Sequence, residues 1–382
     1  MAYDKVVDSA SLDSKLTQVA DAIRTKGNTS ADLQFPSGFI SAIQAIQTGT
    51  ELQIIVSVTS GATVTATKGS KVVSGTSVNG TCTLTVPEAG TWSVKATLGG
   101  KTSDTKSVTF TDNYALSLSF VSAVLNDNDW ATIKTVSDKG EGANYWSIGD
   151  RKAVTLNGTV GTLTLSNFTT YAFILGFNHN SSLEGSNRIH FQLGKTALSG
   201  GRDVCLCDSS YDSNVSTTGC FSMNSSNINS GGWASSQMRT NICGTSLSSY
   251  SGTIIAVIPA ALRAVLKSVT KYTDNTANGG GSTASYVTAT TDYFFLLSEF
   301  EVFGSISYGN TNEKNKQAQY AYYSAGNSKI KYKHNGTSTA AYWWLRSPCT
   351  SSSAFFVYVE KGGTVNPTDA YASLGFAPGF CV

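Results

Sequence analysis

The C-terminal stretch AAYWWLRSPCTSSSAFFVYVEKGGTVNPTDAYASLGFAPGFCV, residues 340–382, decides how the rest of the chain is interpreted. Two aromatic ends, residues 342–345 and 375–380, enclose a segment rich in Ser, Thr, Tyr, Asn and Asp. Rigid aromatic residues combined with small, adaptable polar residues are typical of a binding surface rather than of a catalytic pocket. We therefore expect the enclosed segment to be displayed for binding. The alternative is that it forms the last hairpin of a core.

The composition favours an extracellular or virion-type β-rich protein over a cytosolic enzyme. A chain of 382 residues predicts two or three domains. Only 14% of the residues are charged, whereas glycine occurs 36 times and aromatic residues make up 10%. The formal net charge of +2 comes from scattered lysines and arginines. Nucleic acid is therefore not expected as a partner, since phosphate binding needs a clustered basic face.

The seven cysteines and three histidines do not form a recognisable metal or disulfide pattern. The cysteines lack the regular spacing of a disulfide framework or a zinc site, and their number is odd. Buried free thiols are the simpler interpretation, with a Cys205–Cys220 or Cys207–Cys243 bridge as the alternative. The histidines lie far apart in sequence, which argues against a histidine-based metal centre. We expect no cofactor.

No secretory signal and no membrane-spanning run are recognisable in the sequence. The first residues, MAYDKVVDSASLD, contain no apolar segment of the length that a signal peptide needs. A surface-type composition without an export signal suggests a protein made in the cytoplasm and carried outside as part of a larger particle. A phage particle is the obvious vehicle.

Residues 1–50 read as two short helices that cannot bury themselves alone. Asp8 or Ser9 can cap the first helix, whose apolar residues recur every three or four positions until Gly27. The predicted stripes are Leu12, Leu16, Val19 and Ile23 in the first helix, and Phe39, Ile43 and Ile46 in the second. We expect this segment either to pack on the next domain or to serve attachment and oligomerisation.

Residues 51–112 change to an alternating pattern with glycine-rich turns, which predicts a small β-sandwich with Leu84 and Trp92 in its core. The segment resembles the immunoglobulin-like spacer modules of many surface and tail proteins. Residues 113–382 then form the large domain. The predicted fold class is α+β, dominated by strands.

Nine phrases of the large domain, read in order, resemble one family. They are WATI (130–133), YWSIGDRKAVTLNG (145–158), FNHNSSLEG (177–185), WASSQMR (233–239), IPAALRAVLK (258–267), KYTDN (271–275), LSEFEVFG (297–304), WWLRSP (343–348) and ASLGFAPGF (372–380). This region is similar to the C-type lectin-like ligand-binding domain of bacterial and phage surface proteins, including variable proteins diversified by retroelements. The ADAIR and FPSGFISAIQAI segments, at 20–24 and 35–46, resemble the attachment segment of prophage tail proteins.

The resemblance implies a scaffold and a ligand-facing side. In that fold the two chain ends of the domain pair, and the final hairpin crosses the ligand-facing side. The implied scaffold residues are Trp343, Trp344, Arg346, Pro378 and Phe380, and aromatic residues beside a Pro-Gly turn are indeed more often core than contacts. The implied ligand-binding residues are Thr350, Ser351, Ser352, Ser353, Phe356, Tyr358, Glu360, Thr364, Asn366, Thr368, Asp369, Tyr371 and Ser373.

Strand alternation refines the implied ligand-facing set. Along residues 354–360 it places Phe356, Tyr358 and Glu360 on one face, which we expect to be the displayed one because the other carries Phe355, Val357 and Val359. Glu360 and Lys361 are not products of adenine-targeted substitution, so no diversification is expected at those two positions. Whether the remaining positions are diversified is left open by the sequence.

Catalysis and direct metal binding are the weighed alternatives. The acidic run at 126–129 offers oxygen ligands for a structural calcium ion, but a solvated turn or a helix cap explains it as well. Glu299, Glu301 and Arg346 are expected to form an internal ion pair. Formylglycine-generating oxidases share a related fold and use a reactive cysteine pair, for which Cys205 and Cys207 are the sole close candidates in the sequence. No enzyme motif is recognisable beyond that pair.

The sequence as a whole therefore predicts a receptor-binding protein of a phage tail, attached to other tail components through residues 1–50. We expect a homotrimer, because weak contacts gain from multivalency, and a host-surface protein or glycan as the ligand. A bacterial surface adhesin and an oxidase-like enzyme are the alternatives.

Overall fold

The computed structural model describes residues 9–45, 51–209 and 217–382. The chain divides into two compact units, Met1–Ser119 and Phe120–Val382. The predicted fold class, α+β with strands dominating, is confirmed, because several β-sheets are accompanied by short helices. Among the described helices, none combines the length and the apolar character needed to cross a bilayer.

The first unit begins with two helices, α1 (Ser9–Gly27) and α2 (Ser37–Ala45). They share a small core made of Ala20, Ile23 and Phe39. The predicted apolar stripe of α1 is only half right, because Leu12 and Val19 are 45% and 47% exposed. On α2, Ile43 is also exposed, and the predicted Ile46 lies outside the described residues.

Two β-sheets complete the first unit. Their strands are β1 (Leu52–Ser57), β2 (Thr63–Lys68), β3 (Lys71–Thr76), β4 (Thr81–Val86), β5 (Gly90–Leu98), β6 (Lys101–Thr102), β7 (Lys106–Phe110) and β8 (Tyr114–Ser117). One sheet has the order β4-β1-β8, and the other has the order β3-β2-β5-β6 with β7 also pairing with β5. Gly75 of β3 lies directly against Leu84 of β4, so the two sheets face each other. Leu84 and Trp92 are both buried between them.

The boundary between the units lies later than the predicted 112/113. The strand β8 pairs in parallel with β1, and its residue Ser117 lies opposite Ser57. Residues 114–117 therefore belong to the first unit, and the division falls between Ser119 and Phe120. Alternation alone did not reveal this strand because its side chains are only half-buried or exposed.

The second unit contains short helices distributed among longer strands. Its helices are α3 (Trp130–Asp138), α4 (Gly142–Tyr145), α5 (Ser181–Glu184), α6 (Gly232–Ser235), α7 (Ile254–Val257), α8 (Ala260–Arg263), α9 (Glu299–Phe303) and α10 (Ala321–Ser324). Its strands are β9 (Arg151–Val160), β10 (Leu163–Phe177), β11 (Ile189–Lys195), β12 (Val204–Cys205), β13 (Val269–Asp274), β14 (Val287–Asp292), β15 (Phe294–Phe295), β16 (Lys331–Lys333), β17 (Gly336–Ala341), β18 (Trp343–Pro348), β19 (Phe355–Val359), β20 (Val365–Asp369) and β21 (Gly379–Cys381).

A five-stranded antiparallel sheet with the order β15-β21-β11-β10-β9 organises the core of this unit. The central strand β11 is buried along its whole length, as expected for a strand covered on both faces. The last strand of the chain, β21, lies between β11 and β15 rather than against β9. We expected the first and last strands of this domain to pair with each other, and this expectation is wrong. The strands β9 and β21 share a sheet, but β11 and β10 lie between them.

A separate three-stranded sheet, β18-β19-β20, carries the C-terminal stretch. Its register places Trp344 opposite Tyr358 and Tyr358 opposite Asn366. The hairpin β13–β14 and the small sheet β12-β16-β17 complete the strand pairing of the described residues. The sheet β18-β19-β20 and the turns that join its strands carry most of the residues that the sequence predicted to face a ligand.

Candidate functional site: a polar surface on a buried ionic framework

The implied scaffold residues are all buried, namely Trp343, Trp344, Arg346, Pro378 and Phe380. Each indole N–H has a partner, because Trp343 donates to the carbonyl of Lys329 at 2.9 Å and Trp344 donates to that of Phe221 at 2.8 Å. Buried indoles with satisfied donors fix the strand β18 in one position. The turns that follow it are therefore attached to a rigid base.

Three of the residues predicted to face a ligand do not do so. Phe356 is completely buried, Tyr358 is 7% exposed and Ser373 is completely buried. The alternation argument failed because β19 is the middle strand of its sheet and is covered on both faces. Tyr358 packs its ring against Tyr342 at a centroid distance of 5.4 Å, and Ser373 accepts a hydrogen bond from the backbone N–H of Thr217.

The other ten predicted residues lie at or near the surface. We call them the display surface: Thr350, Ser351, Ser352, Ser353, Glu360, Thr364, Asn366, Thr368, Asp369 and Tyr371, each half-buried or exposed. They occupy the turn before β19, the turn after it, the edge strand β20 and the residues that follow. Loops and turns on a rigid scaffold are the usual place for binding residues.

A single buried amide holds the first of these turns. Asn229 is fully buried, and its Nδ2 donates to the carbonyls of Cys349 at 3.1 Å, Ser352 at 2.7 Å and Phe355 at 2.9 Å. Its Oδ1 accepts from the backbone N–H of Asn278. One side chain thus joins the turn 349–355 to the glycine-containing loop that begins at Asn278.

Two loops that sequence reasoning left out of the site border the display surface. In the first, Asn227 donates to Asp369, and the Ser222 hydroxyl donates to the carbonyl of Tyr371 at 2.7 Å. In the second, Gly281 donates its N–H to the carbonyl of Thr350 at 3.1 Å. Both loops carried a signal, since residues 194–232 are long and polar and residues 279–281 are three glycines.

Glu360 supplies the display surface with a fixed negative charge. Its carboxylate accepts hydrogen bonds from the Thr364 hydroxyl at 2.7 Å, the Asn366 amide at 2.9 Å and the Tyr358 hydroxyl at 3.4 Å. The bonds from Thr364 and Asn366 lower the pKa of Glu360. Hydrogen bonds to the charged form of a carboxyl group have this effect.

Beneath this surface lies a buried ionic network that was only partly predicted. Lys271 Nζ lies 2.6 Å from Glu184 Oε2 and 2.9 Å from Glu301 Oε1. Arg346 pairs with the same Glu301 through two nitrogens. The expected pairing of Arg346 with a glutamate is thus present, but it uses Glu301. Glu299 instead accepts backbone N–H bonds from residues 307–309.

The ionisation of this network follows from burial and charge. Burial opposes ionisation of Glu301, but Arg346 and Lys271 hold its pKa below the usual range. Burial raises the pKa of Glu184 despite the nearby Lys271. The two cations and two carboxylates sum to a formal charge of zero, which is the condition for tolerating buried charges.

One group within the network has the spacing of a metal site. Ligand atoms of His179, Glu184 and Glu301 lie within 4.8 Å of one another. A divalent cation does not fit this group, however, because the Lys271 ammonium already bonds to both carboxylates and Arg346 lies beside them. The lysine takes the place of a metal, so we assign the group a structural role.

Two buried histidines border the same network. His179 stacks on Tyr320 at a centroid distance of 3.8 Å, and His190 Nδ1 lies 3.1 Å from the Tyr320 hydroxyl. Burial, reinforced by the charge of Lys271, lowers the pKa of His179 to about 3. The same causes hold the pKa of His190 well below its ordinary value. Both rings are therefore neutral at physiological pH.

All seven cysteines are buried free thiols, so the alternative of a Cys205–Cys220 or Cys207–Cys243 bridge is wrong. The closest described pair is Cys205 and Cys207, whose sulfurs are 3.7 Å apart. A hydrogen bond from Cys205 and burial raise the pKa of Cys207 far above its ordinary value. A thiol in this environment is a poor nucleophile.

The acidic run at 126–129 has structural partners. Asp129 caps α3 by accepting the N–H of Thr132 at 2.7 Å. The ammonium of Lys152 bonds to the carbonyls of Asn126 and Asn128. A helix cap and an internal lysine account for these residues.

Comparison with known proteins gives one finding. A family model described as a domain of unknown function, DUF6273, matches residues 215–382. The match covers the display surface together with Lys271, Glu301 and Arg346, whereas His179 and Glu184 precede it. No curated protein and no solved structure matches the chain.

Proposed function

We propose that this chain is a receptor-binding protein of a phage tail that recognises the host surface through the display surface. The second unit would be a C-type lectin-like scaffold, as its nine sequence phrases suggest, and the chain would reside in the virion after synthesis in the host cytoplasm. The ligand would be a host-surface protein or glycan. The display surface would belong to the segment that retroelements diversify in similar proteins.

The observation that carries this proposal is the contrast between the display surface and its base. Small hydroxyl and amide side chains lie on turns, while Trp343, Trp344 and Arg346 beneath them are fully buried. Adaptable polar contacts held on a rigid framework lose little entropy on binding. Tyr371 supplies a half-buried aromatic ring at the edge of the surface.

The first unit supports a role in attachment. Five large apolar side chains of its helical segment are exposed: Leu12, Val19, Phe35, Ile40 and Ile43. The core between the helices α1 and α2 consists of three buried residues, which is too few to stabilise an isolated helix pair. We propose that this apolar surface joins three copies of the chain and contacts other tail components.

The trimer is tested by light scattering on the full chain. Val19→Glu with Ile43→Glu should convert a trimer into a monomer, because it places charges in the proposed contact. Ser14→Glu with Ser41→Glu, on the same helices but away from their apolar side chains, is the charge-matched control and should leave the trimer intact. A monomeric parent protein would refute this part of the proposal.

Two other functions have less support. A bacterial surface adhesin of the same fold would use the same display surface. A formylglycine-generating-type oxidase would need a reactive thiol, and the raised pKa of Cys207 counts against one. Copper-dependent thiol oxidation by the purified protein would restore the enzyme alternative.

Capture of bacterial cells tests the binding proposal. The purified chain is incubated with a panel of bacterial species, and bound protein is measured for the parent and for Thr368→Ala with Tyr371→Ala. We expect at least a tenfold loss of binding, since removing aromatic contacts commonly has effects of this order. Thr169→Ala with Tyr171→Ala, a matched pair on β10, should bind like the parent. Equal binding by both double variants would refute the display assignment.

A further inference from the structure

A small cavity adjoins the display surface and has no role in the account given so far. Its volume is about 120 Å³. The neighbouring backbone connects it to the display surface, because Asn224 donates its N–H to the carbonyl of Ala370 at 2.9 Å and the Ser222 hydroxyl donates to Tyr371. A ligand on the display surface could therefore place one of its groups in this cavity.

The lining of the cavity selects against charge. Ten described residues line it, and none of these ten is Asp, Glu, Lys, Arg or His. Phe221 and Ile242 provide apolar surface, and a Cβ atom at Gly161 would lie 2.9 Å from Ile242 Cδ1, so only glycine keeps this side open. The rest of the described lining consists of the Cys220 thiol and of hydroxyl and amide groups. A group that fits must be neutral, partly apolar and able to form hydrogen bonds.

The amides of the cavity are partly fixed and partly free. Asn224 uses both ends of its side chain, donating to Ile228 and accepting from the N–H of Gln237. Gln237 Nε2 donates to Ser225 at 2.9 Å, and Asn241 Oδ1 accepts from Thr240 at 3.0 Å. Within the described residues this leaves Gln237 Oε1 as a free acceptor and Asn241 Nδ2 as a free donor.

The free groups and the volume together match an acetamido group. Its N–H requires an acceptor, its carbonyl requires a donor and its methyl requires an apolar contact. A cavity of about 150 Å³ can hold benzene, with six heavy atoms, so the slightly smaller volume here accommodates the four heavy atoms of an acetamido group.

We infer that this cavity is a subsite for the acetamido group of an N-acetylated sugar. The hydroxyl-bearing rim formed by Thr162, Ser222 and Ser225 suits the ring hydroxyls of such a sugar better than the flexible chain of an acetylated lysine. This assignment rests on the proposed function, since it names a glycan as the class of receptor, and it places part of the recognition outside the segment 350–373.

The test uses two simple probes, the methyl glycosides of N-acetylglucosamine and of glucose, titrated into the full chain and followed by ligand-observed NMR. The probes differ in the acetamido group, so the parent should bind the first at least tenfold more tightly. The variant Gln237→Leu with Asn241→Ala should lose at least tenfold in affinity for the first probe, because two hydrogen bonds disappear. Asn144→Ala removes an exposed amide elsewhere in the same unit and should change nothing. Gln237 and Asn241 are exposed, so the cavity variant should fold normally. Circular dichroism verifies that each variant is folded.

The outcomes separate this inference from the proposed function. Equal binding of the two glycosides, or equal binding by parent and cavity variant, overturns the subsite. Tighter binding of Nε-acetyl-lysine methylamide than of the sugar overturns the sugar assignment. If cell capture survives in the cavity variant but is lost in the Thr368/Tyr371 variant, the proposed function stands without the subsite. If sugar binding is as expected while cell capture is unaffected by the Thr368/Tyr371 variant, the subsite stands and the display assignment fails.

Discussion

At the scale of single residues, Lys271 of the second unit is a cation that burial removes from solvent. It is completely buried and bonds to two carboxylates and to the hydroxyl of Tyr320. Removing one partner of a buried ion pair leaves uncompensated charge, and typical losses are about 3–5 kcal/mol. We predict that Lys271→Met lowers the free energy of unfolding by about this amount, as measured by denaturant titration. Lys134→Met removes a surface pair with Asp138 and should cost less than about 1 kcal/mol. Similar losses in the two variants would contradict the prediction.

The two buried histidines predict a stability that depends on pH. Both have pKa values below the ordinary 6.5 in the folded protein, so the unfolded chain binds protons first as the pH falls. Their contribution is therefore fully present above pH 6.5 and is lost as the pH drops through 6.5 towards 3. Each group adds a slope of up to about 1.4 kcal/mol per pH unit. Three buried carboxyl groups act in the opposite direction, because burial raises the pKa of Glu184, of Glu299 and of Glu313, the last to about 7.

His179→Gln isolates this effect. Between pH 6 and 4 the free energy of unfolding should fall less steeply in the variant than in the parent. The expected difference in slope is about 1.4 kcal/mol per pH unit, which corresponds to one proton. The measurement is a series of denaturant titrations at fixed pH values. The nearby charges of Lys271, Glu184, Glu301 and Arg346 are the same in both proteins. An unchanged slope would show that His179 is protonated in the folded state.

At the scale of elements, the turn 349–355 depends on Asn229. Its amide donates to three carbonyls of that turn, and no other side chain of similar length replaces all three bonds. We predict that Asn229→Ala accelerates backbone hydrogen exchange in residues 349–355 by at least about tenfold, because each lost bond contributes about 1 kcal/mol. Asn335→Ala removes one exposed bond to Asp208 and should leave this turn unaffected. Unchanged exchange in the turn would remove Asn229 from the framework.

Local sequence patterns predicted some elements of the fold correctly and others incorrectly. The predicted end of α1 at Gly27 is correct because a glycine marks it locally, whereas Asp8, one of its two predicted caps, lies outside the described residues. The display face of β19 was wrong because alternation assumes that one face meets solvent, and Tyr342 and Trp344 cover the face that carries Tyr358. Only the pairing of Arg346 with a glutamate was predicted in the network around Lys271, because its members come from α5, β13, α9 and β18. No local pattern brings those elements together.

At the scale of the whole molecule, the chain consists of two units with separate cores. The first unit has a core of its own around Trp92, and the second has a core around β11. Units with separate cores are able to unfold separately. A destabilising substitution in the display surface is therefore expected to affect the second unit and to leave the first unit folded.

This separation predicts two unfolding transitions in scanning calorimetry of the full chain. Trp92→Ala and Phe191→Ala each remove a completely buried ring, at a typical cost of about 3–5 kcal/mol. Trp92→Ala should lower the midpoint of one transition and leave the other unchanged, and Phe191→Ala should do the reverse. The two variants are controls for each other, since they delete similar buried volumes in different units. A single transition that both variants shift would mean that the units unfold together, and a destabilising mutation in the display surface would then also destabilise the first unit.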